Sequence, residues 1–546
     1  MTHTQNSTHP AGGHVFGYAV VAALAGFLFG FDTIVISGAE QEIQTIWRLS
    51  GAMHGLALSA ALWGTVIGSL VGGWPTERFG RRATLLWVGV LYFISAVGSG
   101  MAPEMYTFII ARFIGGLGVG IATVAAPLYI SEISPAKSRG RLAGMFQFNI
   151  VFGILIAFLS NYLIGLALGA GGSGWSAAWR WMLGVEAIPA LLYTAFCFAI
   201  PESPRWLIVH GGDRAGGVAV FKNLNPHLSD TEIEELADSV ADSAKADDGH
   251  TSFWTRRLSY PILLAFLIAF FNQLSGINAI LYFAPRLLGL AGISNALAAA
   301  VGIGVTNLVF TYVGLWLIDK LGRKTLLLIG SLGYIASLAV CAYAFLNYPA
   351  FKVVSRAIDV ENTAVQMQKR EDPESPLSAV DEEKVRQDYA DAKEALLQVV
   401  SQNGYDGAAI ELPADATPAE AEAIATAAKD AASDRLGPTK YVVLLSIMAF
   451  IAAHAVGQGA VIWVFISEIF PNRFRSYGQA LGSFTHWIFA ALITLFFPIA
   501  IRAFDAGLIF AFFCFMMCLQ LIWVLAMAPE TKGISLEQMQ QKLGIE

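Results

Sequence analysis

Long apolar runs constrain this chain more than any other feature. Phe16 to Ser37 holds a single charge, Asp32, and neither Ala83 to Pro103 nor Gly507 to Pro529 holds any. A helix needs ~20 such residues to cross the ~30 Å hydrocarbon layer of a bilayer. Composition agrees: 55% of residues are apolar and 14% charged, against roughly half and a quarter in soluble domains. Twelve spans are expected, beginning near Phe16, His54, Ala83, Met105, Gly140, Arg180, Leu258, Asn295, Thr325, Lys440, Gly478 and Gly507. The expected fold class is an all-α membrane protein. The residues before the first run carry no Lys or Arg and no small-residue cleavage site, so they read as a short tail rather than a removed signal. Cys197, Cys341, Cys514 and Cys518 fall inside apolar runs and read as small packing groups, not as a disulfide frame or metal site.

Basic residues give the orientation. One set of short loops holds Arg78, Arg81 and Arg82, then Lys137, Arg139 and Arg141, then Lys320, Arg323 and Lys324, then Arg473 and Arg475. The opposite short loops hold only isolated cations: Arg48, Arg180, Arg286 and Arg502. The excess of cations marks the cytoplasmic side, which puts both termini in the cytoplasm and, in a bacterium, the protein in the inner membrane. Two polar segments interrupt the spans. Ser203 to Arg257 falls on the cytoplasmic side and reads as a linker with short helices. Asn347 to Pro438 holds nine Lys or Arg and eighteen Asp or Glu and falls on the outer side, with the pattern of polar helices forming a small cap.

The chain repeats itself. "ERFGRR" at Glu77 returns as "DKLGRK" at Asp319, "ISEI" at Ile130 returns at Ile466, and "PESPR" at Pro201 returns as "PETKG" at Pro529. The offset grows from 242 residues for the first pair to 336 for the second. An insertion therefore lies between the third and fourth spans of the second half, where the acidic segment is. Without it the halves are two six-span repeats. The expected units are 1–202, a first six-helix bundle; 203–257, the linker; 258–346 and 439–530, the second bundle; 347–438, the insert; and 531–546, a cytoplasmic tail.

Charges inside spans are costly and mark function. Asp32, Arg112 and Glu186 each lie six or seven residues from the outer end of their span, ~9–11 Å at ~1.5 Å per residue. Equal depth on three spans of one half predicts that they meet. An arginine beside Asp32 favours its charged form and burial opposes it, so a conformational change that breaks the contact would load a proton. A static structural ion pair is the plainer alternative. The second half offers His454 and His486 instead, together with amides at Asn272, Gln273, Asn278 and Asn307 and an aromatic plate at Trp463; Gln147 adds an amide from the first half. Amides both donate and accept, which suits a ligand rich in hydroxyls. Gly276 lies between Gln273 and Asn278, where a broken helix would expose backbone groups.

The set "GFLFGFDTIVISGA", "RFGRR", "PLYISEISPAKSRGRL", "PESPRWL", "NQLSGINAILYF", "DKLGRK", "WVFISEIFPNRFRS" and "PETKG" resembles the sugar porter family of the major facilitator superfamily, over nearly the whole chain except the acidic insert. The resemblance implies two six-helix bundles with a site between them, and proton-coupled uptake of a monosaccharide or similar polyol by alternating access. It implies a proton group at Asp32, Arg112 and Glu186, since facilitators of the family typically lack the aspartate. It places sugar contacts on Gln147, Gln273, Asn278, Asn307 and Trp463, with Phe29 and Tyr282 lining the cavity. The chain departs from the family at Asn272, Ile154 and His486, where glutamines or a similar amide are usual, so the identity of the sugar stays open.

Both copies of I-S-E-I-x-P-x-x-x-R close an apolar run, so Glu132 with Arg139, and Glu468 with Arg475, are expected to join Arg81 and Arg323 in charge networks tying the inner ends of the bundles together. A uniporter in which Asp32 is only structural, or a transporter-like sugar receptor, are the other readings. An enzyme is not expected, because no phosphate loop, metal cluster or nucleophile constellation occurs. No cofactor or nucleic acid partner is implied, only a sugar or polyol, a proton and the bilayer, with the monomer as the functional unit.

Overall fold

In the computed structural model, the described residues are 13–135, 138–169, 177–245, 253–368, 379–402, 413, 416–534 and 536–545. They are built from helices. Eleven of these are long and apolar enough to cross a membrane. The remaining sixth span is divided into Ala178–Gly184 and Ala187–Cys197. Pro189 explains the division: its ring displaces the carbonyl four residues earlier, Val185, and its missing N–H removes that hydrogen bond. Glu186 lies at the bend. The twelve spans begin within three residues of the sequence expectation, at Gly13, Gly51, Arg81, Met105, Arg139, Ala178, Ser259, Ala296, Arg323, Thr439, Arg475 and Ala506.

Two more spans are broken. The seventh runs as Ser259–Leu274, Ile277–Tyr282 and Ala284–Leu290. Its first break is at Gly276, whose φ of 86° is left-handed and open to glycine at little cost. The tenth runs as Thr439–Val456 and Gln458–Ile469, with Gly457 at the junction against Gly330 of the ninth; the sequence reading did not foresee this break.

Spans one to six pack together, as do seven to twelve. The bundles meet through the second and eleventh spans, the fifth and eighth, and the first and seventh. The second and eleventh touch near the ends remote from the basic loops: a Cβ on Gly55 would strike the Leu495 carbonyl, and one on Gly51 would rest against Pro498 and Ile499. Leu155 and Phe158 of the fifth likewise lie against Gly304 of the eighth. The molecule is closed at the end opposite the basic loops.

The segment after the sixth span forms Pro204–Val209, Arg214–Leu224 and Asp230–Lys245. The acidic insert forms Pro349–Gln368, Ala379–Gln402 and Pro418–Leu436. Its first helix packs on the other two, on alanines and valines such as Val353, Ala357, Ala425 and Ala428, all buried. The same helix touches the first span and the last piece of the seventh. Thr417 and Glu420 cap the third helix reciprocally, which fixes its start.

Gly55→Val should push the second and eleventh spans apart. Overpacking of ~1–3 kcal/mol favours the state open at this end by about 5- to 150-fold. The check is the distance between spin labels placed at Ala52 and Ala503, which should lengthen.

Candidate functional site

The three buried charges of the first bundle come together. Arg112 Nη1 donates to Asp32 Oδ1 at 2.6 Å and Nη2 donates to the Asp32 carbonyl at 2.8 Å. Both side chains are about 1% exposed and Glu186 is sealed. Glu186 lies within electrostatic reach of both. Among the described residues no donor reaches either Glu186 oxygen or Asp32 Oδ2. Two carboxylates and one guanidinium leave one uncompensated negative charge, and an unpaired buried charge is expensive. One proton completes the balance. The group is held by spans one, four and six, and Tyr282 reaches it from the other bundle. Its ring is buried, its hydroxyl lies beside the Thr33 side chain of the first span, and it is within electrostatic reach of Arg112 and Asp32.

The amides of the second bundle form one network at the break of the seventh span. Asn278 Nδ2 donates to Gln273 Oε1 at 2.7 Å, so the Gln273 amide nitrogen faces the other way. It donates to Asn272 Oδ1 at 3.0 Å and lies 3.1 Å from the His486 ring nitrogens. His486 is thus an acceptor toward Gln273, which requires an unprotonated ring nitrogen there. Its ring stacks edge-on to Trp487 at 4.7 Å and tilts against Trp463 at 5.4 Å; Phe29 of the first span meets Trp487 at 5.4 Å. The Asn307 side chain accepts from Thr311 at 3.5 Å. Gln147, half-buried on the fifth span, lies off the face that carries Phe146 and Ile150 against the first span. Ile154 is two turns further along the same side. His454 hydrogen-bonds the Tyr334 hydroxyl at 2.7 Å, the role of a packing group.

At the basic end, Arg81 forms a forked pair with Glu132, both bonds 2.9 Å, and Arg323 forms the equivalent pair with Glu468 at 3.0 and 2.7 Å. Each network lies inside one bundle rather than between the two. The third repeated signal completes them. Glu202 accepts the Arg81 and Arg82 backbone N–H groups, and Glu530 accepts those of Arg323 and Lys324. Ser203 and Thr531 then donate to Glu132 and Glu468. Burial pushes the Glu202 carboxyl above its ordinary range despite these N–H groups; Glu530 is less enclosed, burial opposes less, and the N–H groups hold it below. Arg475 takes no part: its Nε is buried without a hydrogen-bond partner among the described residues. The Arg139 side chain lies outside the described residues. Sequence reading missed Glu202 and Glu530 as partners, although their repetition beside the basic loops was visible.

The family profile for sugar (and other) transporters matches residues 18–359 and 423–543. The chain belongs to this family. The match omits 360–422, inside the acidic insert. The D-xylose-proton symporter of Escherichia coli is 28% identical over 96% of this chain and 95% of its own. The glucose transport protein of Synechocystis is 31% identical over 95% of each. Among solved structures, the inward open xylose transporter of Escherichia coli shares 28% identity with a TM-score of 0.70, covering 97% of this chain and 99% of that one. The proton:xylose symporter bound to 6-bromo-6-deoxy-D-glucose shares 28% identity with a TM-score of 0.65, over 98% and 100%. The fold is that of the major facilitator superfamily, as the repeated motifs implied.

His486→Ala should free the Gln273 amide and raise the KM for sugar by about 5- to 150-fold, the equivalent of ~1–3 kcal/mol for an unmet buried hydrogen bond. His486→Gln supplies an acceptor again and should stay within about threefold of the parent. Radiolabelled uptake over a concentration series measures both.

Proposed function

We propose that this chain imports a monosaccharide or related polyol together with a proton, by alternating access of a site between the bundles. The observation that carries the reading is the sealed Asp32–Arg112–Glu186 group, one proton short of neutrality, with Tyr282 linking it to the amide network. The relatives named as xylose and arabinose proton symporters support it.

The basic loops face the cytoplasm, with both termini on that side. The structure is then the state closed outside. Sugar hydroxyls exchange hydrogen bonds with Gln273, Asn278, Asn307 and Gln147, while Trp463 and Phe29 cover its apolar face. When the bundles part on the outside, the seventh span moves and Tyr282 with it, which changes the surroundings of Arg112. Asp32 then takes the proton that neutralises the group. With one proton bound, no net charge is buried and the bundles can close over the sugar. After inward opening the sugar leaves, Arg112 recovers Asp32, and the proton is released. The networks at Arg81 and Arg323 keep the inner end of each bundle rigid during rocking.

Asp32→Asn keeps the group neutral without a proton. Uphill accumulation in proteoliposomes with an imposed proton gradient should fall to unity, while counterflow exchange of labelled sugar persists. Loss of both activities, or parent uptake indifferent to a protonophore, would sink the symport reading. Competition among pentoses, hexoses and inositols then identifies the substrate.

The acidic insert acts as a helical cap on the outer end of the second bundle. Its first helix rests on the first and seventh spans. Replacing residues 350–435 by a short linker should leave the sugar KM unchanged, since no amide of the site lies in the insert, and should raise the rate of outward opening. Stopped-flow quenching of a fluorophore at Ala52 reads that rate; no change in it removes the insert from gating.

A further inference from the structure

A second group of buried charges lies across the bundle interface at the closed end, and the transport scheme above does not use it. Glu40 of the first span and His54 of the second are both fully buried. Arg286, from the last piece of the seventh span, donates through Nε to Glu40 Oε1 at 2.9 Å and through Nη2 to Oε2 at 2.8 Å. It also reaches Gln44. His54 Nε2 is 3.2 Å from Glu40 Oε2, at ion-pair distance. Apart from this contact with Glu40, neither ring nitrogen has a hydrogen-bond partner among the described residues. The ring meets Phe283, at the second break of the seventh span, edge-on at 6.3 Å. The first bundle thus supplies two titratable groups and the second a fixed cation.

We propose that Glu40 and His54 form a second proton-binding pair, vacated by Arg286 when the bundles part at this end and filled from the water on that side. The proposal rests on the alternating-access reading. The charged groups about the pair are Arg286 of the seventh span and Arg502 of the eleventh; Asp359 of the first insert helix, itself paired with Arg356, lies within reach of both arginines, and Asp388 of the second insert helix lies within reach of Arg502. In the closed state the guanidinium already neutralises Glu40. A proton on His54 would then add a positive charge beside Arg286 and Arg502, which like charges oppose. When the bundles separate, Arg286 leaves with the seventh span while Glu40 and His54 stay on the first bundle. Glu40 then faces His54 without its cation, and a neighbouring carboxylate favours the protonated imidazole. One proton moves from water to the free nitrogen of His54, and an imidazolium–carboxylate pair replaces the guanidinium–carboxylate pair. Closing reverses the step and returns the proton to the same side. The pair therefore carries no proton across the membrane. It sets how readily this end opens, and acid on that side favours opening.

The test uses the full chain in lipid nanodiscs, with spin labels at Ala52 and Ala503 and the native cysteines replaced. The background is Asp32→Asn, which removes the first proton group. The open fraction is read by label distance from about pH 5 to 8. It should rise as pH falls, with a limiting slope of about tenfold per pH unit for one proton taken up on opening. His54→Gln should flatten the slope. Arg286→Gln should raise the open fraction at every pH. Glu40→Gln should flatten the slope as His54→Gln does, which covers the case where one variant does not fold. A slope absent in the Asp32→Asn background, or unchanged by either pair variant, overturns the proposal and leaves symport standing. A slope present in the Asp32→Asn background, with no sugar-driven proton uptake by the parent protein, leaves this proposal standing and sinks symport.

Discussion

The buried pair of Arg112 with Asp32 is the interaction around which the first bundle is organised. A guanidinium in hydrocarbon must have its donors met, and Arg112 spends two of them on one residue, its carboxylate and its carbonyl. That fixes the first span against the fourth. The bend at Glu186 brings a second carboxylate to the same place. The result is a site whose charge is one proton away from balance in a place water does not reach. Coupling needs nothing more elaborate than a geometry in which that balance changes with conformation.

The second bundle solves a different problem with the same repeat. It carries no such charge group at this depth. Its seventh span breaks at Gly276, and the amides around the break hold one another in fixed orientation, with His486 as the outermost acceptor. Amide orientation matters because a rotated Gln273 would present the opposite hydrogen-bonding character to a sugar. In the proposed function the neutral half recognises a polyhydroxylated ligand and the charged half handles a proton. Tyr282 belongs to one by sequence and touches the other in space.

Much of this was legible without coordinates. Apolar run length gave twelve spans, because crossing hydrocarbon demands ~20 helical residues and little else in a protein does. Equal depth predicted that Asp32, Arg112 and Glu186 meet, since helical rise converts residue number directly into height. The break at Gly276 followed from the glycine between two amides. Other features were not legible. The break at Gly457 depends on close contact with Gly330, which no local pattern announces. Nothing in the sequence singled out Glu40, and Arg286 read as an isolated loop cation; only their meeting across two bundles makes them a pair. The networks at the basic end were expected to join the bundles. The repeat could show that they were paired signals, but not that each pairing closes inside its own half.

The sequence by itself determined the membrane class, the duplicated plan, the position of the insertion and the types of side chain at each depth. Those quantities depend on composition along one chain and on the fixed rise of a helix. The tertiary structure decided which end is closed, how the Gln273 amide is turned, and that Glu40, His54 and Arg286 share one buried place. Such facts depend on the packing of spans far apart in sequence, where a single close contact, such as Gly55 against Leu495, sets the distance between everything attached to them.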